Sequence, residues 1–199
     1  MTRRLLVAVL ALLALAGGCG LSEDDGPQAI APENLPPELL DPTPDTSTTV
    51  PAGATTVTVY FIEQVGDRER LVAVEREVQN GTDPGDRVGA LLAQPPSDEE
   101  AASGISSSIT ADTTLPSAPV FIEARNEIVI DLSSEFVSIE GRELAKAFAQ
   151  IVWTVTELES IDQVRFLVDG VETRALDAEG AEQEGAVNRA QYNALRPAS

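Results

Sequence analysis

AQIVWTVTELESIDQVRFLVDG, Ala149 to Gly170, holds the end of one element, the whole of a second and the turn into a third. Its first ten residues continue an apolar stripe that begins upstream. Leu144, Phe148, Ile151, Val155 and Leu158 recur at i, i+4, i+7, i+11 and i+14, the signature of a helix that buries one face. The spacing predicts a helix from about Arg142 to Leu158. After the polar break Glu159 to Gln163, Val164 to Val168 reads as a strand. Asp169-Gly170 is a strong tight-turn signal, and it leads into a further strand, Val171 to Leu176.

Working outward, the same logic recurs upstream. Thr55 to Ile62 (TTVTVYFI) is β-branched and aromatic, with Val57, Val59 and Phe61 alternating. Leu71 to Val74 pairs with it across a polar turn, Glu63 to Arg70. Asp83 caps a helix, Pro84 suits its first position, and Val88, Leu91 and Leu92 form its inner face until Pro95-Pro96 ends it. Ser97 to Ser117 is loop-like. Phe121-Ile122 and Ile128 to Leu132 make a second hairpin across Arg125-Asn126. Downstream, Asp177 to Gly185 is an acidic loop, and Asn188 caps a last short helix before Pro197. The order ββ-α-ββ-α-ββ-(α) implies an α+β domain, a single mixed β-sheet with helices packed on it.

These segments, in this order, resemble the GerMN domain of GerM-type sporulation and germination proteins, which also occurs in actinobacterial lipoproteins. The resemblance rests on TVTVYFI (Thr56 to Ile62), LVAVEREV (Leu71 to Val78), RVGALLAQPPSDEE (Arg87 to Glu100) and EIVIDLSSEF (Glu127 to Phe136). It is strongest at Ala149 to Gly170 and closes with VNRAQYNALRP (Val187 to Pro197). It implies a domain over residues 55–199, with a fold similar to the ring-building motif of sporulation complexes. It also implies an extracytoplasmic, non-enzymatic module that associates with neighbouring proteins, and carries over no catalytic residue.

The chain's beginning reads differently. Thr2-Arg3-Arg4 is a positive start, Leu5 to Ala16 is almost pure Leu, Ala and Val, and Gly17-Gly18-Cys19 follows. This is the layout of a secretory signal, residues 1–18, and it is too short to span a membrane comfortably. Leu15 to Cys19 resembles a bacterial lipobox, with Ala16 where Leu is commoner. Cys19, the only cysteine, would then carry diacylglycerol and hold the chain on the outer membrane face. Residues 19–54 form a spacer. Seven of the 13 prolines and seven acidic residues, with no basic one, leave little to bury between residues 20 and 54.

Composition narrows the function. The formal net charge is −20, with 33 acidic against 13 basic residues, and loss of Arg3 and Arg4 would deepen it to −22. That field repels nucleic-acid phosphates, so nucleic acid is excluded as a partner. With no histidine and one cysteine, imidazole catalysis and the usual zinc sites are out of reach, and no cofactor or metal is expected.

The remaining candidates each have a plain structural reading. Asp131 and Glu135 flank Leu132-Ser133-Ser134 at a strand end, where two carboxylates could share a cation but more often form a polar turn. Asp98-Glu99-Glu100 suits a helix's first turn better than a metal. Ser103 to Ser108 (SGISSS) lacks a nucleophile elbow. Lys146, the only lysine, falls on the polar side of the long helix. Asn80-Gly81-Thr82 matches a glycosylation triplet.

Trp153, the only tryptophan, points about 180° from Leu144 on an ideal helix. Covered by the Ser97–Ser117 loop or the C-terminal tail it is ordinary core; exposed, it would anchor a partner. The reading is a membrane-anchored interaction module for envelope proteins, with self-assembly open. A lipoprotein that binds a wall fragment is the alternative, and a carboxylate-only wall hydrolase comes behind it.

Overall fold

A computed structural model describes residues 53–79 and 83–198. The signal segment, Cys19, the spacer up to residue 52 and Asn80-Gly81-Thr82 lie outside the described residues. No helix among the described residues is long and apolar enough to cross a membrane.

The first hairpin is longer than the alternation suggests. β1 (Ala54–Val65) and β2 (Arg68–Gln79) pair antiparallel in unbroken register from Ala54 opposite Gln79 to Val65 opposite Arg68. Gly66 opens the two-residue turn at φ +59, which a residue without Cβ adopts freely. Glu63 to Arg70, read as a polar turn, is therefore mostly ladder. Glu63 faces Arg70 and bonds it at 2.7 Å. Opposite charges pair across strands as usefully as apolar side chains, so polarity did not mark the turn.

α1 (Pro84–Ala93) follows as the sequence implies, with Pro84 in its first turn and the Asp83 side chain accepting from the Gly85 amide. The segment read as loop holds two elements. α2 (Asp98–Ala102) opens on a capping box between Ser97 and Glu100. β3 (Ile105–Ser106) adds to β1 at Ile62 and Glu63.

A second sheet runs β4 (Val120–Ile122), β5 (Glu127–Leu132), β6 (Gln163–Val168), β7 (Val171–Thr173) in spatial order. β5 and β6 are parallel, and both outer pairs are antiparallel. Asp169 and Gly170 both have positive φ, as the turn between β6 and β7 requires. The parallel crossover is made by α3 (Gly141–Val155), which stops three residues short of the expected end; Leu158 lies in the following turn, partly buried. The acidic loop contains a small ribbon of β8 (Ala175–Leu176) and β9 (Glu182–Gln183). The last helix, Arg189–Leu195, is of the tighter 3-10 kind, capped by Asn188 and Gln191.

The α+β class is what the strands and helices form, but the expected single sheet is three, with strands β2-β1-β3, β4-β5-β6-β7 and β8-β9. The reason lies on α3. Thr154 Oγ1 accepts from the Tyr60 amide at 3.0 Å, and Gln150 Nε2 donates to the Tyr60 carbonyl at 3.1 Å. Helix side chains thus satisfy the β1 edge at Tyr60, just beyond β3, in place of another strand.

α3 is accordingly buried on opposite sides. Phe148 packs edge-on against Phe136 at 5.0 Å and Phe166 of β6 at 4.7 Å, facing the second sheet. Lys146, Gln150 and Thr154, one turn apart, are also buried, facing the first. Lys146 is therefore not on a solvated side. Its ammonium meets Glu69 at 2.6 Å and Glu143 at 2.5 Å, which compensate its charge where it is sunk.

Candidate interaction site around Trp153

Trp153 sits at the margin of the α3 face that carries Lys146 and Gln150, half-buried and packed against the core. Seven residues on from Lys146, it lies about 20° from that residue around the helix, on the side that faces Tyr60. Tyr60, from β1, lies on one side with ring centres 5.5 Å apart. Arg189, from the C-terminal segment, places its guanidinium 4.3 Å from the Trp153 ring centre. Of the coverings the sequence offered, the C-terminal tail reaches Trp153, through Arg189.

Arg189 is fixed from several directions. Its Nη2 donates to the Trp153 carbonyl at 3.1 Å and to Glu157 at 2.7 Å, and its Nε donates to Thr156 Oγ1 at 2.7 Å. Glu157 also accepts from the Tyr60 hydroxyl at 2.9 Å. The result is a closed ring of contacts, Tyr60–Glu157–Arg189–Trp153, on one patch of surface. A cation over a Trp face contributes roughly 0.5–1 kcal/mol when exposed and more when desolvated, so the stack holds the indole in one orientation.

The electrostatics agree. Burial pushes the Tyr60 hydroxyl up to about 12, and its bond to Glu157 acts in the same direction. Burial works against the Glu157 charge, but hydrogen bonds from Arg189 and Tyr60 outweigh it and hold the carboxyl below its ordinary value. The charge of Arg87, on α1, adds to that effect. Arg87 Nε and Nη1 and Trp153 Nε1 are buried with no hydrogen-bond partner among the described residues.

The other candidates are engaged in structure. Asp131 accepts from the Gly170 amide at 2.9 Å and from Ser117 Oγ at 3.3 Å, so it braces the β6–β7 turn. Glu135 is exposed on a separate 3-10 turn, its carboxyl lowered first by a hydrogen bond from Ser133. Glu100 closes the capping box at the Ser97 amide and takes a two-pronged bond from Arg76 at 2.9 and 2.7 Å. That bond, foremost, drops its carboxyl to about 2. Among the serines of Ser103 to Ser108, Ser103 bonds back to Glu99, and Ser108 ties Gln150 and Glu143 to the loop.

Sequence reasoning missed Tyr60, Glu157 and Arg189 as one cluster. Glu157 lies 97 residues from Tyr60 and 32 from Arg189, and no local pattern joins them. The one legible sign was a lone Trp off the apolar stripe.

A family model described as "Germane: Sporulation and spore germination" matches residues 58–174. The tandem GerMN domains of the sporulation protein GerM from Bacillus subtilis align at 23% identity with a TM-score of 0.54, covering 70% of this chain and 46% of that one. The first GerMN domain of the same protein aligns at 19% identity and a TM-score of 0.50, covering 68% of this chain and 98% of that one. The chain thus spans less than half of the tandem structure and nearly all of a single domain. No curated protein matches the chain. The two likenesses agree in fold, and the family match takes in β1 through β7, so the chain belongs to the Germane family of sporulation and spore germination domains.

Proposed function

We propose that this protein is a lipid-anchored cell-envelope lipoprotein whose Germane domain is a non-enzymatic module for binding other envelope proteins, in sporulation, germination or wall processes. The observation that carries the reading is the Trp153 patch. A half-buried indole, clamped by Tyr60 and Arg189, is a rigid aromatic and guanidinium surface of the kind that anchors protein contacts. The groups that could turn over a substrate are committed elsewhere: Lys146 to Glu69 and Glu143, Asp131 to a turn, Glu100 to Arg76. The lipobox-like Leu15 to Cys19 and the proline-rich spacer supply the anchor and the reach.

The experiment is the intact mass of the membrane-fraction protein, wild type and Cys19→Ala, followed by crosslinking in the native membrane. A diacylglyceryl mass that disappears in the variant, with reproducible crosslinks to particular envelope proteins, is the expected result. An unmodified, soluble chain removes the anchor. An anchored chain without any specific crosslinked partner removes the interaction role.

A further inference from the structure

The edge of β1 is filled over only half its length. In an antiparallel strand the N–H and C=O of one residue point to the same side, and alternate residues share a side. The amides of Tyr60 and Gln64 mark that side: one goes to Thr154, the other to the Gly104 carbonyl. Ile62 lies on it too, paired with Ser106 of β3. By the same parity, and through an unbroken register, the backbone groups of Thr56 and Thr58 point there as well. Among the described residues nothing bonds them. Thr56 is exposed and Thr58 partly so.

Natural sheets guard such edges with lysine, proline, a bulge or a cover. Thr55-Thr56-Val57-Thr58-Val59 carries no charge, no proline and no bulge. It is β-branched throughout, so it is stiff, extended and ready to pair. At its inner end stands Tyr60, whose ring leads directly onto Trp153 and Arg189.

The geometry points to this open edge, Thr56 to Thr58 with the Trp153–Arg189 platform beside it, as a docking site for one extended, basic strand of a partner protein. It rests on the interaction-module reading and says where and how that module binds. The choice of occupant comes from charge. Glu77 and Glu75 stand directly across β2 from Thr56 and Thr58, on the same face, exposed, and without a basic partner among the described residues. An added strand would run about 10 Å from them, two strand spacings, within reach of Lys or Arg side chains. A second copy would offer uncharged Thr56 and Thr58 in that place and leave Glu75 and Glu77 without a basic partner, in a chain of net charge −20. Strand addition gives affinity through the main chain, and the side pockets give selection.

The test titrates the full chain with a blocked peptide of alternating Lys and Val, read by the fluorescence of Trp153, the chain's only tryptophan. The matched Glu–Val peptide is the control. Saturable binding of the Lys peptide and none of the Glu peptide is expected. Thr58→Pro removes an edge donor that faces off the sheet, where proline is tolerated, and it should abolish binding. The paired surface change Glu75→Lys and Glu77→Lys, which leaves the fold alone, should reverse the preference between the peptides. No binding, equal binding of both peptides, or binding unchanged in these variants overturns the docking site. The same variants are then crosslinked in the membrane. A native crosslink lost in the double lysine variant supports the site; one that persists at full strength overturns it and leaves the broader interaction role standing.

Discussion

Tyr60 gives its amide to Thr154 and its carbonyl to Gln150, so two side chains of a helix do what a neighbouring strand would do. Both side chains are fully buried, and a buried backbone group left without a partner costs about 1–3 kcal/mol. Thr154→Val keeps the shape and removes the acceptor. It should lower the unfolding free energy by about that amount, with an unchanged m-value in urea. Gln150→Leu should cost as much or more, because Gln150 also accepts from the Ser108 amide. These residues show how far the sequence could be read. The apolar row on α3 was visible because apolar residues repeat. Lys146, Gln150 and Thr154 repeat as regularly, but their polarity hid that they face inward; only the partners that satisfy them, from Tyr60 to Glu69, reveal it. Trp153 was legible as an oddity and Arg189 was not, because a cation–aromatic stack has no sequence spacing.

Elements with local signals were found, and those defined by their neighbours were not. The Asp83-Pro84 helix start, the Asp169-Gly170 turn and the Arg125-Asn126 hairpin are all where local chemistry puts them. β3 is two residues long and exists because β1 is beside it. α2 did leave a sign in Ser97-x-x-Glu100, which is a capping box, but the following helix is too short to show a period. Its cap is testable. Ser97→Ala should cost about 1 kcal/mol, and half of the pairing at Glu100, the Arg76 bond, should survive. At the tip of the long hairpin, Gly66→Ala meets open space, so any loss comes from the backbone alone. The change should cost about 1–2 kcal/mol, by thermal or urea unfolding, without altering the β1–β2 register.

On the scale of the molecule, charge sets the response to acid. Glu100, Glu127, Glu143 and Glu157 all titrate below the ordinary 4.5 because arginine, lysine or tyrosine groups bond their carboxylates in the fold. Their folded values are depressed, so their stabilisation is complete above about 4.5 and is lost as pH falls, for Glu100 through about 2. The urea midpoint should therefore hold steady as pH drops from 7 to 5 and fall between 4.5 and 2. Glu100→Gln should flatten the fall. Tyr60 acts at the other end: raised from 10 to about 12, it contributes below 10 and loses that contribution as pH climbs through 12, a loss that Tyr60→Phe should abolish. The bonds from α3 to Tyr60 also have an order in time. They close across 90 and 94 residues, so the hairpin can zip locally in microseconds while its flank waits for a helix made much later. A chain emerging amino end first carries a finished ribbon whose margin at Tyr60 stays raw until residue 154 arrives. A fragment cut short before that point therefore keeps the middle of β1 without its two partners.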